Sequence, residues 1–200
     1  MAKFSMRPAT VARDDGLRFL RHLDSQLPFL AAVGAGEQWG SETRSDNPDA
    51  LAKYRGKIAA AESDSNRPWT SDSTRAWVIE TPARRSQLDA TASALLDPTE
   101  AAGDAGDEVV QIPVGMLIIE GQAADYCQSI LSVDGTDPFI YVKFVVTDRR
   151  AGELSRGAGA YALQYAVDFA KALGITRVCL DCWSGNNGRL VRQVTRLVDG

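Results

Sequence analysis

Cysteine is scarce in this chain of 200 residues, which contains three, at positions 127, 179 and 182. So small and odd a number excludes a disulfide scaffold and favours a reducing cytoplasm. No apolar run is long enough to span a bilayer, and the first residues carry no apolar segment of a secretion signal. We therefore expect a soluble, cytoplasmic protein that has no membrane partner.

The chain also lacks an excess of basic residues, since 22 Lys and Arg stand against 26 Asp and Glu, for a net charge of −4. A nucleic-acid-binding protein usually presents a basic face, so the balance argues against a nucleic-acid partner. The charge is uneven, because residues 147–200 hold eight basic and five acidic side chains. That end suits a small anionic ligand, or it forms an ordinary solvated face.

The composition is that of an ordinary globular protein, with 44% apolar and 24% charged residues. The length suits a single domain, residues 1–200. The hydrophobic patterns predict a mixed α/β fold, with a sheet flanked by helices. Within it, Pro82–Asp107 has no sustained apolar period, and we expect a flexible insertion at 82–107. The expected strands are an edge strand within 4–10, then Arg75–Thr81, Val109–Glu120, Phe139–Val146 and Arg177–Trp183.

The most specific motif is a glycine-rich loop that joins a strand ending at Val146 to a helix beginning near Ala160. Gly157 and Gly159 permit close approach of a ligand, and the first N–H groups of a helix attract phosphate. The glycines of so short a motif also serve simply to shape a turn. A dinucleotide fingerprint at 157–162 is disfavoured, because a ten-residue loop precedes it and only one strand–helix unit follows. No Gly-Lys-Ser or Gly-Lys-Thr of a P-loop is present.

Residues Tyr141–Arg192 resemble the second half of a GNAT-superfamily acyl-CoA-dependent N-acyltransferase. The similarity lies in an apolar strand, a loop of the form (Gln/Arg)-x-x-Gly-x-(Gly/Ala) and a helix that begins with Ala-Leu. It continues in Leu-Asp-Cys-Trp-Ser-Gly-Asn-Asn at 180–187 and Leu-Val-Arg at 190–192. The start of the chain resembles the opening of such proteins more loosely, and the middle segment has no counterpart.

The resemblance implies acetyl-CoA as co-substrate, an amine as acceptor, direct acyl transfer and no metal. The strand end would pair with the pantetheine arm, and the loop N–H groups of Ser155–Ala160 would hold the pyrophosphate. The thioester would lie where the strands Phe139–Val146 and Arg177–Trp183 splay apart. The implied cofactor-binding residues are Phe144, Val145, Val146, Leu154, Ser155, Arg156, Gly157, Ala158, Gly159, Ala160, Asn186 and Asn187.

The chain departs from the family pattern at three places. Leu154 stands where Gln or Arg is usual, and Gln193 or Val194 stands where the family has a thiolate-protonating Tyr. Two further strands of the family sheet have no counterpart before Gly200. Two functions therefore stay open: an N-acetyltransferase acting on a small molecule or peptide, and a catalytically impaired acyl-CoA-binding or interaction module. A bare edge on the strand Arg177–Trp183 predicts a homodimer or a poorly soluble chain.

A catalytic base cannot be chosen from the sequence among Tyr141, Glu120 and Asp181. Cys179 and Cys182 are three residues apart in a predicted strand, so their side chains point to opposite faces and do not share a metal. His22, the one histidine, is expected to be a partly exposed helix residue rather than a catalyst.

Overall fold

The computed structural model describes residues 3–96, 107–128, 131, 137–185, 187–188 and 190–192. Five strands and five helices have defined bounds within them, joined by short 3-10 segments. The described residues between 185 and 192 are also helical. The strands are β1 (Ser5–Pro8), β2 (Thr74–Arg84), β3 (Val109–Glu120), β4 (Phe139–Thr147) and β5 (Arg177–Leu180). The helices are α1 (Asp15–Asp24), α2 (Leu27–Ala32), α3 (Pro48–Asp64), α4 (Ala90–Ser93) and α5 (Ala158–Ala172).

The strands form one mixed sheet in the order β1-β2-β3-β4-β5. The first three pairings are antiparallel, and β5 lies parallel to β4 because α5 carries the chain back across the sheet. This mixed sheet flanked by helices confirms the predicted mixed α/β fold class. β1 is an edge strand, as its Arg-Pro pair predicts.

Helices cover both faces of the sheet, because alternate residues of the central strands point to opposite sides. On one face, the small residues Ala158, Ala162, Ala166 and Ala170 of α5 pack closely on β3 and β4. On the other face, α1 and α3 pack through Phe19, Leu20 and Ile58 against Val78, Met116 and Ile118. The two faces thus carry separate apolar cores.

Residues 82–96 differ from the surface insertion expected over 82–107. Pro82–Arg84 continue β2 opposite Val109–Gln111, and Leu95 and Leu96 are only 5% and 8% exposed in the core beneath α5. Two adjacent leucines are too few to form a helical pattern in the sequence, and the burial of Leu95 and Leu96 depends on contacts with residues distant in the chain. Residues 97–106 lie outside the described part, so the flexibility of the insertion stays a prediction.

The start of α1 is held by a charged cluster rather than by a side-chain cap. Asp14 has left-handed backbone and makes no side-chain cap bond. The buried Asp15 carboxylate instead accepts hydrogen bonds from Thr10 N at 2.8 Å and from the Arg7 guanidinium of β1 at 2.8 and 3.1 Å. This cluster fixes α1 against the sheet edge.

None of the helices in the described ranges has both the length and the apolar composition needed to cross a bilayer.

Candidate functional site

The strands β4 and β5 pair over only four residues and then separate. Their register runs from Phe139 opposite Arg177 to Val142 opposite Leu180. Immediately beyond, β4 carries a bulge: Ile119 pairs with Val142 and Ile118 with Phe144, so Lys143 is the extra residue. A bulge bends its strand and increases its twist, which turns the rest of β4 away from β5.

A cleft of about 730 Å³ opens where the two strands separate. Its volume lies within the range of roughly 300–1,000 Å³ typical of small-molecule sites. Its back is the end of β4, from Val142 to Thr147, and one side is formed by residues 180–185 after β5. Gly159 and Leu163 of α5 form a further wall. Apolar residues from α2 to Trp39 line the opposite side.

The start of α5 borders this cleft. Gly157 precedes the helix with φ +91°, a left-handed conformation that favours glycine, and no side chain caps the first turn. A Cβ added to Gly159 would lie 3.8 Å from Val145 Cγ1, an ordinary contact. The fold thus requires glycine at 157, whereas at 159 it leaves room that faces the cleft.

The structure brings together only part of the predicted cofactor set. Phe144, Val145, Val146 and Gly159 line the cleft, whereas Leu154 packs into the core beside α5. The remaining described members, on the loop, at the start of α5 and after β5, do not line the cleft, and Asn186 lies outside the described residues. These members are Ser155, Arg156, Gly157, Ala158, Ala160 and Asn187, and their role in cofactor binding stays a prediction.

Some of the loop side chains are engaged locally instead. Ser155 Oγ donates to Gly152 O at 2.9 Å, and the exposed Arg156 pairs with Glu153 at 3.2 Å. Asn187 has φ +54°, and its carbonyl accepts a hydrogen bond from Arg192. Arg156 N donates to Glu153 O, and Gly157 O accepts from Tyr161 N. The backbone groups left for a ligand are therefore the first N–H groups of α5.

His22 is buried, and the expectation of a partly exposed helix residue is wrong. It is 1% exposed, and its Nδ1 lies 2.6 Å from Asp148 Oδ2. Burial lowers the pKa of His22, outweighing the opposite effect of Asp148. Burial alone would raise the pKa of Asp148, but hydrogen bonds from His22 and Arg150 hold it well below its ordinary value. The carboxylate is therefore ionised, and the neutral imidazole donates through Nδ1.

This contact belongs to a set of bonds by which the end of α1 holds the residues that follow β4. Gln26 Nε2 donates to Thr147 O, and Arg149 N donates to Ser25 Oγ at 3.0 Å. Arg149 Nε also donates to Gln26 Oε1 at 3.0 Å, and its guanidinium lies 3.6 Å from the Phe29 ring centre. We call these contacts of residues 22–29 with 147–149 the α1 clamp, and they fix one rim of the cleft.

Of the three candidate bases, only Asp181 lines the cleft. It is exposed, and its carboxylate accepts hydrogen bonds from Tyr141 Oη and, at 2.9 Å, from Tyr126 Oη. Burial and the bond to Asp181 raise the pKa values of both tyrosines, so both are neutral donors. Tyr141 is fully buried, and Glu120 pairs with Lys57 of α3.

The cysteines are free thiols. Cys179 lies in β5, while Cys182 lies beyond the end of that strand and lines the cleft, and burial raises the pKa of both thiols. The described residues contain no group of three potential metal ligands. The strand expected to reach Trp183 ends at Leu180, where β4 and β5 cease to pair.

No protein-family model and no curated protein matches the sequence. Similar solved structures include a possible acetyltransferase from Clostridium difficile 630, at 12% identity and a TM-score of 0.48, covering 98% of this chain and 90% of that one. An aminoglycoside acetyltransferase from an uncultured soil metagenomic sample has 12% identity, a TM-score of 0.46 and coverages of 98% and 91%. AAC(6')-Iy, in complex with the bisubstrate analogue CoA-S-monomethyl-acetylneamine, has 10% identity, a TM-score of 0.46 and coverages of 98% and 88%. At such identities and scores these likenesses identify no substrate, and the case for function depends on the geometry of the cleft.

Proposed function

We propose that the chain is an N-acetyltransferase that transfers an acetyl group from acetyl-CoA to an amine by direct attack. The observation that carries the proposal is the cleft between β4 and β5, which begins at the Lys143 bulge and ends against the start of α5. The sequence resemblance of Tyr141–Arg192 to GNAT acyltransferases falls on the elements that build this cleft.

The residues present fit an acyl-CoA in three respects. Beyond Val142 the β5-facing edge of β4 has no strand partner among the described residues. Apart from Thr147 O, which accepts from Gln26 Nε2, its backbone groups are available to pair with an amide-containing arm. The first turn of α5 has no side-chain cap and begins at a left-handed glycine, which favours a phosphate. Arg149 lines the cleft and adds a cation.

The reaction requires no protein nucleophile. The amine nitrogen forms a bond to the thioester carbonyl carbon, the carbon–sulfur bond breaks, and one proton passes overall from nitrogen to the thiolate. The co-substrate supplies the activated acyl group. The chain's own residues bind the amine, exclude water along the apolar side of the cleft and hold the rim at residues 147–149 in place through the α1 clamp.

The test is calorimetric titration of the purified chain with acetyl-CoA, with NAD as a matched dinucleotide control, followed by an assay for thiol release. We expect acetyl-CoA to bind, NAD not to bind, and free thiol to appear when an amine is added. Failure of acetyl-CoA to bind would refute the proposal. Binding without thiol release, over a panel of amines, would instead support the non-catalytic acyl-CoA-binding module left open by the sequence.

A further inference from the structure

The charge of the cleft is unusual for a site that receives amines. Of the described residues that line it, one is acidic, Asp181, and two are basic, Lys143 and Arg149. A single carboxylate neutralises only one ammonium, so the further ammonium groups of a polycation would meet no carboxylate among the described lining residues. The cleft therefore disfavours polycationic acceptors.

The side of the cleft opposite α5 is apolar and aromatic. Phe29, Leu30 and Val33 of the α2 region contribute to it, together with Trp39. Arg149 stacks on Phe29 and bonds to Gln26, so its charge is held at the rim of this surface. Such a surface favours an apolar or aromatic body on the ligand.

Asp181 stands at the point where the two strands separate. It follows Leu180, the last residue of β5 that pairs with β4. Tyr126 and Tyr141 each donate one hydrogen bond, to different oxygens of its carboxylate. A carboxylate oxygen accepts about two hydrogen bonds. One acceptor position on each oxygen is therefore left for an ammonium group, and the two tyrosines hold the carboxylate in one orientation.

We propose, building on the proposed function, that the acceptor is a monoamine with an apolar or aromatic body, and that Asp181 binds its ammonium group. The acceptor's body lies against Phe29 and Trp39. Its nitrogen is held at the parting of β4 and β5, where the acyl group is expected. Asp181 is thus a residue that determines acceptor specificity.

The experiment compares two acceptors, phenethylamine and spermidine, in the thiol-release assay. The chain is used as wild type, as Asp181→Asn and as Asp168→Asn. The Asp181→Asn side chain retains one oxygen acceptor but loses the charge. Asp168 is an exposed carboxylate on α5 that pairs with Gln164 and Lys171, outside the cleft, and serves as the matched control.

We expect wild type to have at least a tenfold higher kcat/KM for phenethylamine than for spermidine, because the cleft offers one carboxylate for several ammonium groups. A tenfold preference corresponds to about 1.4 kcal/mol. Asp181→Asn should raise the KM for phenethylamine about tenfold or more, in keeping with the loss of a charge-assisted hydrogen bond. The affinity for acetyl-CoA should be unchanged in both variants, and Asp168→Asn should behave as wild type. Tyr126→Phe, which removes one of the two orienting bonds, should raise the same KM by a smaller factor.

The outcomes separate this inference from the proposed function. The inference is overturned if spermidine is used as well as phenethylamine or better, or if the KM for phenethylamine is unchanged in Asp181→Asn. If acetyl-CoA still binds and thiol is still released, the acetyltransferase proposal remains in place. Absence of acetyl-CoA binding overturns both. A parallel loss of acetyl-CoA affinity in Asp181→Asn also contradicts the assignment, because Asp181 would then act on the co-substrate.

Discussion

His22 Nδ1 lies 2.6 Å from Asp148 Oδ2, and this buried contact joins the last turn of α1 to the residue that follows β4. The two residues are 126 positions apart in the chain. Asp148 also accepts from Arg150 N and Nε, both at 2.9 Å, and its own N–H donates to Val114 O at 2.7 Å. Through its carboxylate Asp148 therefore links α1 to the loop before α5, and through its backbone N–H it links both to β3.

The first prediction concerns pH, because His22 is the only histidine. The pKa of His22 is lowered in the folded chain, so the fold favours the neutral imidazole. The stability that this contributes is present above the pKa of histidine in the unfolded chain, about 6.5, and is lost as the pH falls below that pKa. We expect the urea midpoint to fall between about pH 7.5 and 5.5, and the imidazole proton resonance to titrate with a midpoint below about 6.5. His22→Asn, which keeps a donor without this titration, should flatten the slope. An equal slope in the variant would contradict this assignment.

The second prediction concerns Asp148 itself. Asp148→Asn leaves the shape nearly unchanged but removes the negative charge that faces His22 and Arg150. The carboxylate accepts hydrogen bonds from His22 and from the charged Arg150, and a hydrogen bond to a charged group contributes about 1.5–3 kcal/mol. Chemical denaturation should show a loss of this order, whereas the exposed Asp168→Asn should change the free energy of unfolding by less than about 0.5 kcal/mol. A loss no larger than that of the control would refute the role.

A third prediction uses the two loop glycines as a pair. Gly159→Ala places a methyl group in the cleft at an ordinary distance from Val145, so it should leave stability nearly unchanged and weaken acetyl-CoA binding. Gly157→Ala should cost about 1 kcal/mol of stability, because its φ of +91° is strained for any residue with a Cβ. Calorimetry and denaturation on both variants test this contrast. Unchanged acetyl-CoA affinity in Gly159→Ala would show that the cofactor does not bind at the start of α5.

Much of the fold follows from local pattern, and much of the site does not. The long apolar run at Val109–Glu120 predicts β3 with its observed bounds, and the Ala-rich period near Ala162 predicts α5 to within two residues of its N-terminus. The burial of His22 had a weak signal, since Phe19, His22 and Leu23 share one helical face, but its partner lies too far along the chain to be inferred. The Lys143 bulge could not be predicted, because the residues directly before and after it in the sequence are apolar.

The fourth prediction tests the origin of the cleft. Deletion of Lys143 removes the extra residue, so Val142 and Phe144 would become neighbours in a regular strand without changing the faces they occupy. We expect the shortened β4 to remain paired with β3 and to lose acetyl-CoA binding, as measured by calorimetry. Lys143→Ala keeps the bulge and is the matched control, with affinity closer to wild type. Retained acetyl-CoA binding in the deletion variant would show that the cleft does not depend on the bulge.

A fifth prediction concerns the outer edge of β5, which has no partner strand in the described ranges. An exposed edge of this kind favours pairing with a second copy. We expect light scattering to report a homodimer, or else a chain of low solubility. A soluble monomer over the micromolar range would contradict the expectation.

The α1 clamp has a consequence for the synthesis of the protein. The cleft takes one side from α2 and its back from β4, while the remaining side comes from residues that follow β5. A ribosome releases these parts far apart in time, and bringing them together requires closure of long loops, which slows assembly relative to local contacts. The cleft is thus among the last features to form, and binding of a ligand in it would report assembly of the whole fold rather than of any one of its elements.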